Sequence, residues 1–178
     1  MAELHIRAAT IADIPAIAAI YGAAVTSGTA SFELQAPDAS EMQRRWQTIT
    51  SGGFPYLVAE RAGVVKGYAY VSQYRPRPAY RFSVENSIYV SVDAHRAGVG
   101  RQLLAALIEA ATANGYRQMI AVIGDSGQSA SIGLHRRAGF TFAGTIHAVG
   151  YKHGRWLDSV LMQRALGPGD REPPDAGA

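Results

Sequence analysis

The chain has 178 residues, a formal net charge of +3 and no cysteine. This length predicts a single domain, and the lack of cysteine excludes a disulfide framework, a thiolate zinc site and a cysteine nucleophile. The basic residues are spread along the chain, no apolar stretch approaches ~18 residues, and the first ten residues lack the pattern of a signal peptide. We therefore expect no nucleic-acid partner, no membrane association and a cytoplasmic location.

The spacing of apolar residues predicts the element order β-α-α-β-β-β-α-β-α-β-β. The first half contains a strand over 4–8, a helix capped by Thr10, a loop over 26–35, a helix starting at Asp38 or Ser40, and strands over 56–61, 65–74 and 82–92. The second half contains a glycine-bearing turn over 93–100, an amphipathic helix ending near Gly115, a strand over 118–123, a helix over 129–138, and strands over 140–149 and 156–163. This order predicts an α/β layered domain over residues 1–166 with a mixed, largely antiparallel sheet, followed by a loose tail over 167–178.

The turn before the amphipathic helix reads Ala97-Gly98-Val99-Gly100. Glycines at a helix start let backbone N–H groups point the same way, and the unpaired N–H groups and dipole of the first turn add to them. Such a turn can hold a pyrophosphate, with Arg96 and Arg101 beside it. A glycine turn needed only for chain geometry is the competing explanation. The turn is neither a P-loop, since no Gly-Lys-Ser/Thr follows, nor the dinucleotide fingerprint of a first βα unit.

This turn resembles the signature of the GCN5-related N-acetyltransferase (GNAT) superfamily, Gln/Arg-x-x-Gly-x-Gly/Ala. Here it reads HRAGVG over 95–100, with His95 in the first position. Five further segments resemble the phosphinothricin and methionine sulfoximine N-acetyltransferase branch: 29–33 (TASFE), 84–90 (VENSIYV), 130–135 (ASIGLH), 138–140 (AGF) and 149–158 (VGYKHGRWLD). The resemblance spans about residues 4–166. It implies the GNAT fold and acetyl transfer from acetyl-CoA to the amino group of a small amino-acid-like substrate.

Two residues are candidates for proton transfer. The resemblance puts Glu85 at the branch's catalytic glutamate position, where a carboxylate takes a proton from the substrate ammonium directly or through water. On the residues alone, an ion pair with Arg81 explains Glu85 equally well. His135 falls where many superfamily members carry a tyrosine that protonates the leaving thiolate, and a histidine packed against the sheet is the alternative.

The resemblance also implies the residues that bind acetyl-CoA. The strand carrying Ile88, Tyr89 and Val90 resembles the family's acetyl-binding strand, in which a backbone N–H donates to the thioester oxygen. The resemblance implies that the pyrophosphate binds to the turn, which comprises Arg96, Ala97, Gly98, Val99, Gly100 and Arg101. Gln128 lies where the branch usually has an asparagine that contacts the cofactor arm. No metal is expected.

Three arginines, Arg75, Arg77 and Arg81, precede Glu85 and are candidates for binding an anionic group of the substrate. A solvated basic loop is the alternative. Phe32 is a candidate wall of the substrate pocket, although a lone phenylalanine also suits a core. The resemblance further implies a homodimer formed through the C-terminal segment and a role in detoxification. An acetyltransferase for a polyamine, an aminoglycoside or a protein N-terminus, and a non-catalytic acyl-CoA-binding module, are the competing functions.

Overall fold

The computed structural model describes residues 2–174, and residues 175–178 of the predicted tail lie outside that range. Within it, seven strands and four α-helices follow the predicted order. The strands are β1 (Leu4–Ala8), β2 (Tyr56–Arg61), β3 (Val64–Gln73), β4 (Ser83–Val90), β5 (Gln118–Gly124), β6 (Thr141–Lys152) and β7 (Arg155–Ala165). The helices are α1 (Ile14–Ser27), α2 (Ala39–Ser51), α3 (Val99–Ala113) and α4 (Ser129–Arg137), with short 3₁₀ turns over Ile11–Asp13, Pro78–Tyr80 and Val92–Ala94.

The ends of the first two helices follow from local hydrogen bonds. Thr10 precedes a 3₁₀ turn, and α1 begins only at Ile14 and continues two residues into the predicted loop. For α2, the N-cap is Asp38, one of the two predicted starts, because its carboxylate accepts a hydrogen bond from the Glu41 N–H at 2.8 Å. An aspartate at this position satisfies one of the N–H groups that a helix leaves unpaired.

The sheet has the strand order β1-β2-β3-β4-β5-β7-β6. Every neighbouring pair is antiparallel except β4 and β5, which confirms the mixed, largely antiparallel sheet. The parallel pairing joins only Ser83–Asn86 to Gln118–Ala121. Beyond Asn86 the two strands have no ladder between them, although β4 continues to Val90 and β5 to Gly124. The sheet therefore opens at its centre.

Two apolar clusters cover the two faces of the sheet. On one face α3 buries a leucine-rich side against β3, β4 and β5, and on the other α1 and α2 pack over tyrosines of β2 and β3. Along β4, Val84, Ile88 and Val90 belong to the α3 cluster, whereas Tyr89 packs with the α1 cluster. Because strand side chains alternate, Glu85 faces the α1 and α2 side and Asn86 the α3 side.

The segment after β7 lies against the domain as far as residue 174. Leu166 is buried, and the Arg117 guanidinium donates to the carbonyls of Gly169 at 3.3 Å and Pro173 at 3.1 Å. Among the helices of residues 2–174, none combines the length and the apolar character that crossing a bilayer requires.

Candidate active site

A cleft forms where β4 and β5 part. Its lining comprises residues 86–89 of β4, residues 121–124 of β5, Ser131 and His135 of α4, and Ala30 of the α1–α2 loop. An extended ligand can enter this gap because no strand fills it, and the N-terminus of α3 lies at the end of β4. The predicted acetyl-binding residues Ile88 and Tyr89 are thus on the cleft wall, and Val90 follows them.

The glycine turn has the backbone geometry of an anion site. Gly98 is the N-cap of the fifteen-residue helix α3 and has φ of +78°, which is in the left-handed region, and Arg96 has φ of +62°. Gln102 is the residue whose N–H donates back to the Gly98 carbonyl, at 3.2 Å. The N–H groups of Val99, Gly100 and Arg101 are then the first-turn donors that a helix leaves free. A Cβ on Gly98 would meet nothing within 4 Å, so the space beside this residue is open.

The side chains around the turn suit an anion. Arg96, Ala97 and Arg101 are all exposed, and Arg101 lies in the first turn of α3. Gly100 faces inward, since a Cβ there would lie 3.4 Å from Leu134 of α4 and 3.6 Å from Val90. His95, the family-atypical residue, places its Nε2 3.1 Å from the Val90 carbonyl and so ties the turn to the end of β4.

Glu85 lies on the opposite face of β4 and is half-buried. Burial raises the pKa of its carboxyl, and the charge of Arg75 partly opposes that rise. Arg81 does not pair with it among the described residues: its guanidinium donates to the Pro78 carbonyl at 3.4 Å and lies 4.4 Å over the Phe82 ring. The sequence left two explanations of Glu85 open, a catalytic base and an ion pair with Arg81. The structure does not contain the ion pair.

The three arginines before Glu85 are exposed on the loop between β3 and β4. Arg75 lies 5.1 Å over the Tyr74 ring, and within residues 2–174 neither it nor Arg77 or Arg81 is joined to a carboxylate by a salt bridge. Guanidinium groups in this state are free to bind an anionic ligand.

His135 is buried on the α3 side and lines the cleft. Its Nδ1 is 2.9 Å from the Ser131 carbonyl and its Nε2 is 3.0 Å from Asn86 Oδ1, while the Phe140 ring meets it edge-on at 5.0 Å. The histidine is thus packed against the sheet beside the cleft, and its role as the acid that protonates the thiolate stays a prediction.

Gln128 and Phe32 both fasten the α1–α2 loop to the far end of the cleft. The Gln128 side-chain amide donates to Thr29 Oγ1 at 2.9 Å. Gln128 is the N-cap residue of α4, but its side chain does not cap that helix. The Phe32 ring fits between two glycines, because a Cβ on Gly124 or Gly150 would lie 2.8 or 2.5 Å from it. Phe32 is 38% exposed and is not among the residues that line the cleft between β4 and β5, so its role as a wall of the substrate pocket stays a prediction.

Sequence reasoning missed a polar network on the Glu85 side. The Tyr21 hydroxyl lies 2.9 Å from Ser31 Oγ and donates to Glu33 at 2.7 Å, and Arg45 donates to the same carboxylate at 2.6 Å. Tyr70 shares this face, opposite Ser87 of β4. The alternation of β4 was the available signal, since it puts residues 85, 87 and 89 on one side.

No set of three or more His, Asp or Glu side chains with metal-binding geometry occurs in the part of the chain that the structure describes.

Residues 6–161 match the model of the acetyltransferase (GNAT) domain family. The phosphinothricin N-acetyltransferase of Alcaligenes faecalis is 53% identical over 163 residues, which are 92% of this chain and 83% of that protein. The L-methionine sulfoximine/L-methionine sulfone acetyltransferase of Pseudomonas aeruginosa is 47% identical over 92% of this chain and 95% of its own. A GNAT superfamily phosphinothricin acetyltransferase from Sinorhizobium meliloti, solved in complex with acetyl-CoA, superposes with a TM-score of 0.95 at 47% identity and covers 98% of this chain and 95% of its own.

Proposed function

The chain belongs to the GNAT acetyltransferase family, and from that premise we propose that it transfers acetyl from acetyl-CoA directly to the amino group of a small amino acid of the phosphinothricin or methionine sulfoximine type. One observation carries the proposal: a half-buried, unpaired carboxylate, Glu85, lies on the strand that leads into the glycine turn. The names of the similar proteins support the substrate class.

The turn and the open strand edge fit acetyl-CoA. The N–H groups at the start of α3 are oriented for the pyrophosphate, and Arg96 and Arg101 add positive charge. Beyond Asn86, the edge of β4 that faces β5 lacks a strand partner, so a backbone N–H between Ile88 and Val90 is available to the thioester oxygen. Acetyl-CoA supplies the activated acetyl group when it is bound, and these chain atoms aim it at the amine.

Glu85 is the general base of the proposed reaction. The α-amino group of a peptide has a pKa of roughly 8 and that of a free amino acid lies higher, so most of the amine is protonated at neutral pH and must lose a proton before it attacks. The raised pKa of the Glu85 carboxyl narrows the gap between base and ammonium, which improves proton transfer. The amine nitrogen then attacks the thioester carbon, and the thiolate leaves without an acetylated enzyme being formed.

The arginine loop favours a substrate with an anionic group beside its amine. Arg75, Arg77 and Arg81 repel cationic amines, which argues against polyamines and aminoglycosides. A thiol-release assay with acetyl-CoA tests the whole proposal, using phosphinothricin, methionine sulfoximine, methionine sulfone, spermidine and the common amino acids. Release with the first three substrates supports it. Binding of acetyl-CoA without release for any amine would instead favour a non-catalytic module. Detoxification of such amino-acid analogues and the cytoplasmic location stay predictions.

Replacing Arg75 should change both substrate binding and pH dependence. Arg75→Ala removes a guanidinium that lowers the pKa of Glu85, so the acidic limb of kcat/KM should move to higher pH. The KM for methionine sulfoximine should rise about fivefold, the effect of one exposed charged contact. Arg77→Ala is the matched control from the same loop and should leave the limb in place. If the acidic limb of kcat/KM lay at the same pH in both variants, Arg75 would have no influence on Glu85.

We also propose that a second copy of the chain packs against the β6–β7 hairpin. This hairpin carries exposed apolar side chains: Phe142, Ile146, Val149, Tyr151 and Trp156. Tyr151 and Trp156 stack edge-on across the hairpin at 5.2 Å, and Trp156 is 65% exposed. An apolar cluster of this kind on an edge hairpin is typical of an interaction surface, and the resemblance implies a homodimer.

The interface prediction is tested by charge insertion. Trp156→Asp should convert the dimer into a monomer in sedimentation or light-scattering measurements, because burying a carboxylate in an apolar contact is costly. Val64→Asp, at an exposed apolar position on β3, is the control and should leave the mass unchanged. A wild-type chain that is monomeric at micromolar concentration would contradict the proposal.

A further inference from the structure

The imidazole of His135 is enclosed by hydrogen-bond acceptors. Nδ1 lies 2.9 Å from the Ser131 carbonyl oxygen and Nε2 lies 3.0 Å from Asn86 Oδ1. The amide nitrogen of Asn86 is already used, because it donates to the Ile120 carbonyl at 3.2 Å. Both residues are buried, His135 with 2% and Asn86 with 6% of its surface exposed, and both line the cleft.

The number of N–H donors on the ring decides which protonation state of His135 fits these two acceptors. A neutral imidazole has one N–H and one lone pair, whereas the protonated ring has two N–H groups. Ser131 lies one helical turn before His135, so its carbonyl is fixed by the helix and requires Nδ1–H. In the neutral ring the Nε2 lone pair then faces the oxygen of Asn86. A flipped Asn86 amide would avoid this contact between two acceptors, but it would create another, because its oxygen would then face the Ile120 carbonyl. Protonation of Nε2 removes the conflict.

We propose that Asn86 is a positioning residue, which holds the Nε2 edge of His135 at the cleft and favours the protonated ring that supplies a proton to the leaving thiolate. This inference rests on the proposed acetyl transfer. In the step itself, the Nε2–H group exchanges its hydrogen bond to Asn86 Oδ1 for one to the thiolate sulfur, after which the Nε2–H bond breaks and an S–H bond forms on coenzyme A. The ring becomes neutral with Nδ1–H still on Ser131, and it regains a proton from solvent.

Burial acts in the opposite direction and lowers the pKa of His135, and the hydrogen bond to the Ser131 carbonyl opposes part of this lowering. Within residues 2–174 no charged side chain forms a hydrogen bond or an ion pair with the His135 ring, although Arg164 of β7 reaches the end of α4 and donates to the Ala138 carbonyl. Glu85 of β4 faces the other side of the sheet, Phe140 and the β5 residues at the cleft are uncharged, and Arg136 and Arg137 of α4 are exposed. The state of the ring therefore depends on Asn86 more than on any ion pair.

Long-range ¹H–¹⁵N spectra of the substrate-free protein test the contact directly, with His135→Gln used to assign the signal. In the wild type, the neutral ring should carry its proton on Nδ1. Asn86→Leu removes the acceptor at similar volume and should lower the pKa of His135, whereas Asn86→Asp adds a negative acceptor and should raise it. His5, His95, His147 and His153 are exposed and serve as internal controls in the same spectra. An unchanged His135 titration in both variants, or a neutral wild-type ring protonated on Nε2, would overturn the proposal.

Kinetics separate positioning from structure. Because the acid must be protonated, kcat should fall as pH rises through the pKa of His135. Asn86→Leu should move this basic limb to lower pH and reduce kcat roughly tenfold near neutrality, with KM for acetyl-CoA unchanged. Asn86→Asp, which keeps the side-chain shape, should move the limb to higher pH. If the pKa of His135 shifted in the NMR spectra while the basic limb of kcat stayed at the same pH, the link between Asn86 and catalysis would be overturned. A wild type that releases no thiol would contradict the proposed function instead, and the spectra would still decide the role of Asn86.

Discussion

Glu85→Gln is expected to lower kcat/KM for methionine sulfoximine at neutral pH by about 10²-fold or more, because glutamine keeps the shape of the side chain and cannot accept the ammonium proton. The loss should shrink as pH rises past the pKa of the substrate amine, because the amine is then already deprotonated. The acidic limb of the wild-type profile should lie above the ordinary glutamate pKa of 4.5, since burial raises the pKa of this carboxyl. Initial rates of thiol release across pH measure both effects.

A matched control for this substitution lies on α3. Glu109 is exposed on that helix, away from the cleft lining, so Glu109→Gln makes the same chemical change outside the site. It should leave the profile unchanged. If Glu85→Gln behaved like Glu109→Gln across the whole pH range, Glu85 would have no part in proton transfer, and a base on the same face, such as Tyr70, would have to be sought.

The order of the elements was predictable because their signals are local. The leucines of α3 recur at helical spacing, and β2 and β5 were delimited to within one residue. β6 runs three residues beyond its predicted end at 149, up to Lys152. The reason is the irregular register with β7 between Ile146 and Gly150, where Ala148 has φ of +49°. Such a bulge shifts the phase of the alternation, so a period of two cannot be followed through it.

The site was predictable to a smaller extent. The glycine turn was recognisable as a motif, and Gly98 has the left-handed φ that a glycine permits at the start of α3, whereas binding of an anion there stays a prediction. The setting of His135 was not predictable, because its contact with Asn86 joins residues 49 positions apart. Likewise, the loop residue Thr29 reaches Gln128 and Asp125 only once α1 and β5 lie in one fold. No local pattern contains such contacts, since they depend on how helices cross the sheet.

The second large effect is expected from a substitution in the glycine turn before α3. Gly98→Val should raise the KM for acetyl-CoA about 5- to 30-fold, because a non-glycine residue in the left-handed region costs roughly 1–2 kcal/mol and shifts the N–H groups that hold the pyrophosphate. Gly63→Val is a closely matched control: Gly63 has φ of +76° against +78° for Gly98, and a Cβ at either position meets nothing within 4 Å. Both variants should therefore lose similar thermal stability, while only Gly98→Val should lose affinity in calorimetric titration with coenzyme A. Equal affinity in the two variants would show that the strain acts on folding alone, and the turn would then have no special role in binding the cofactor.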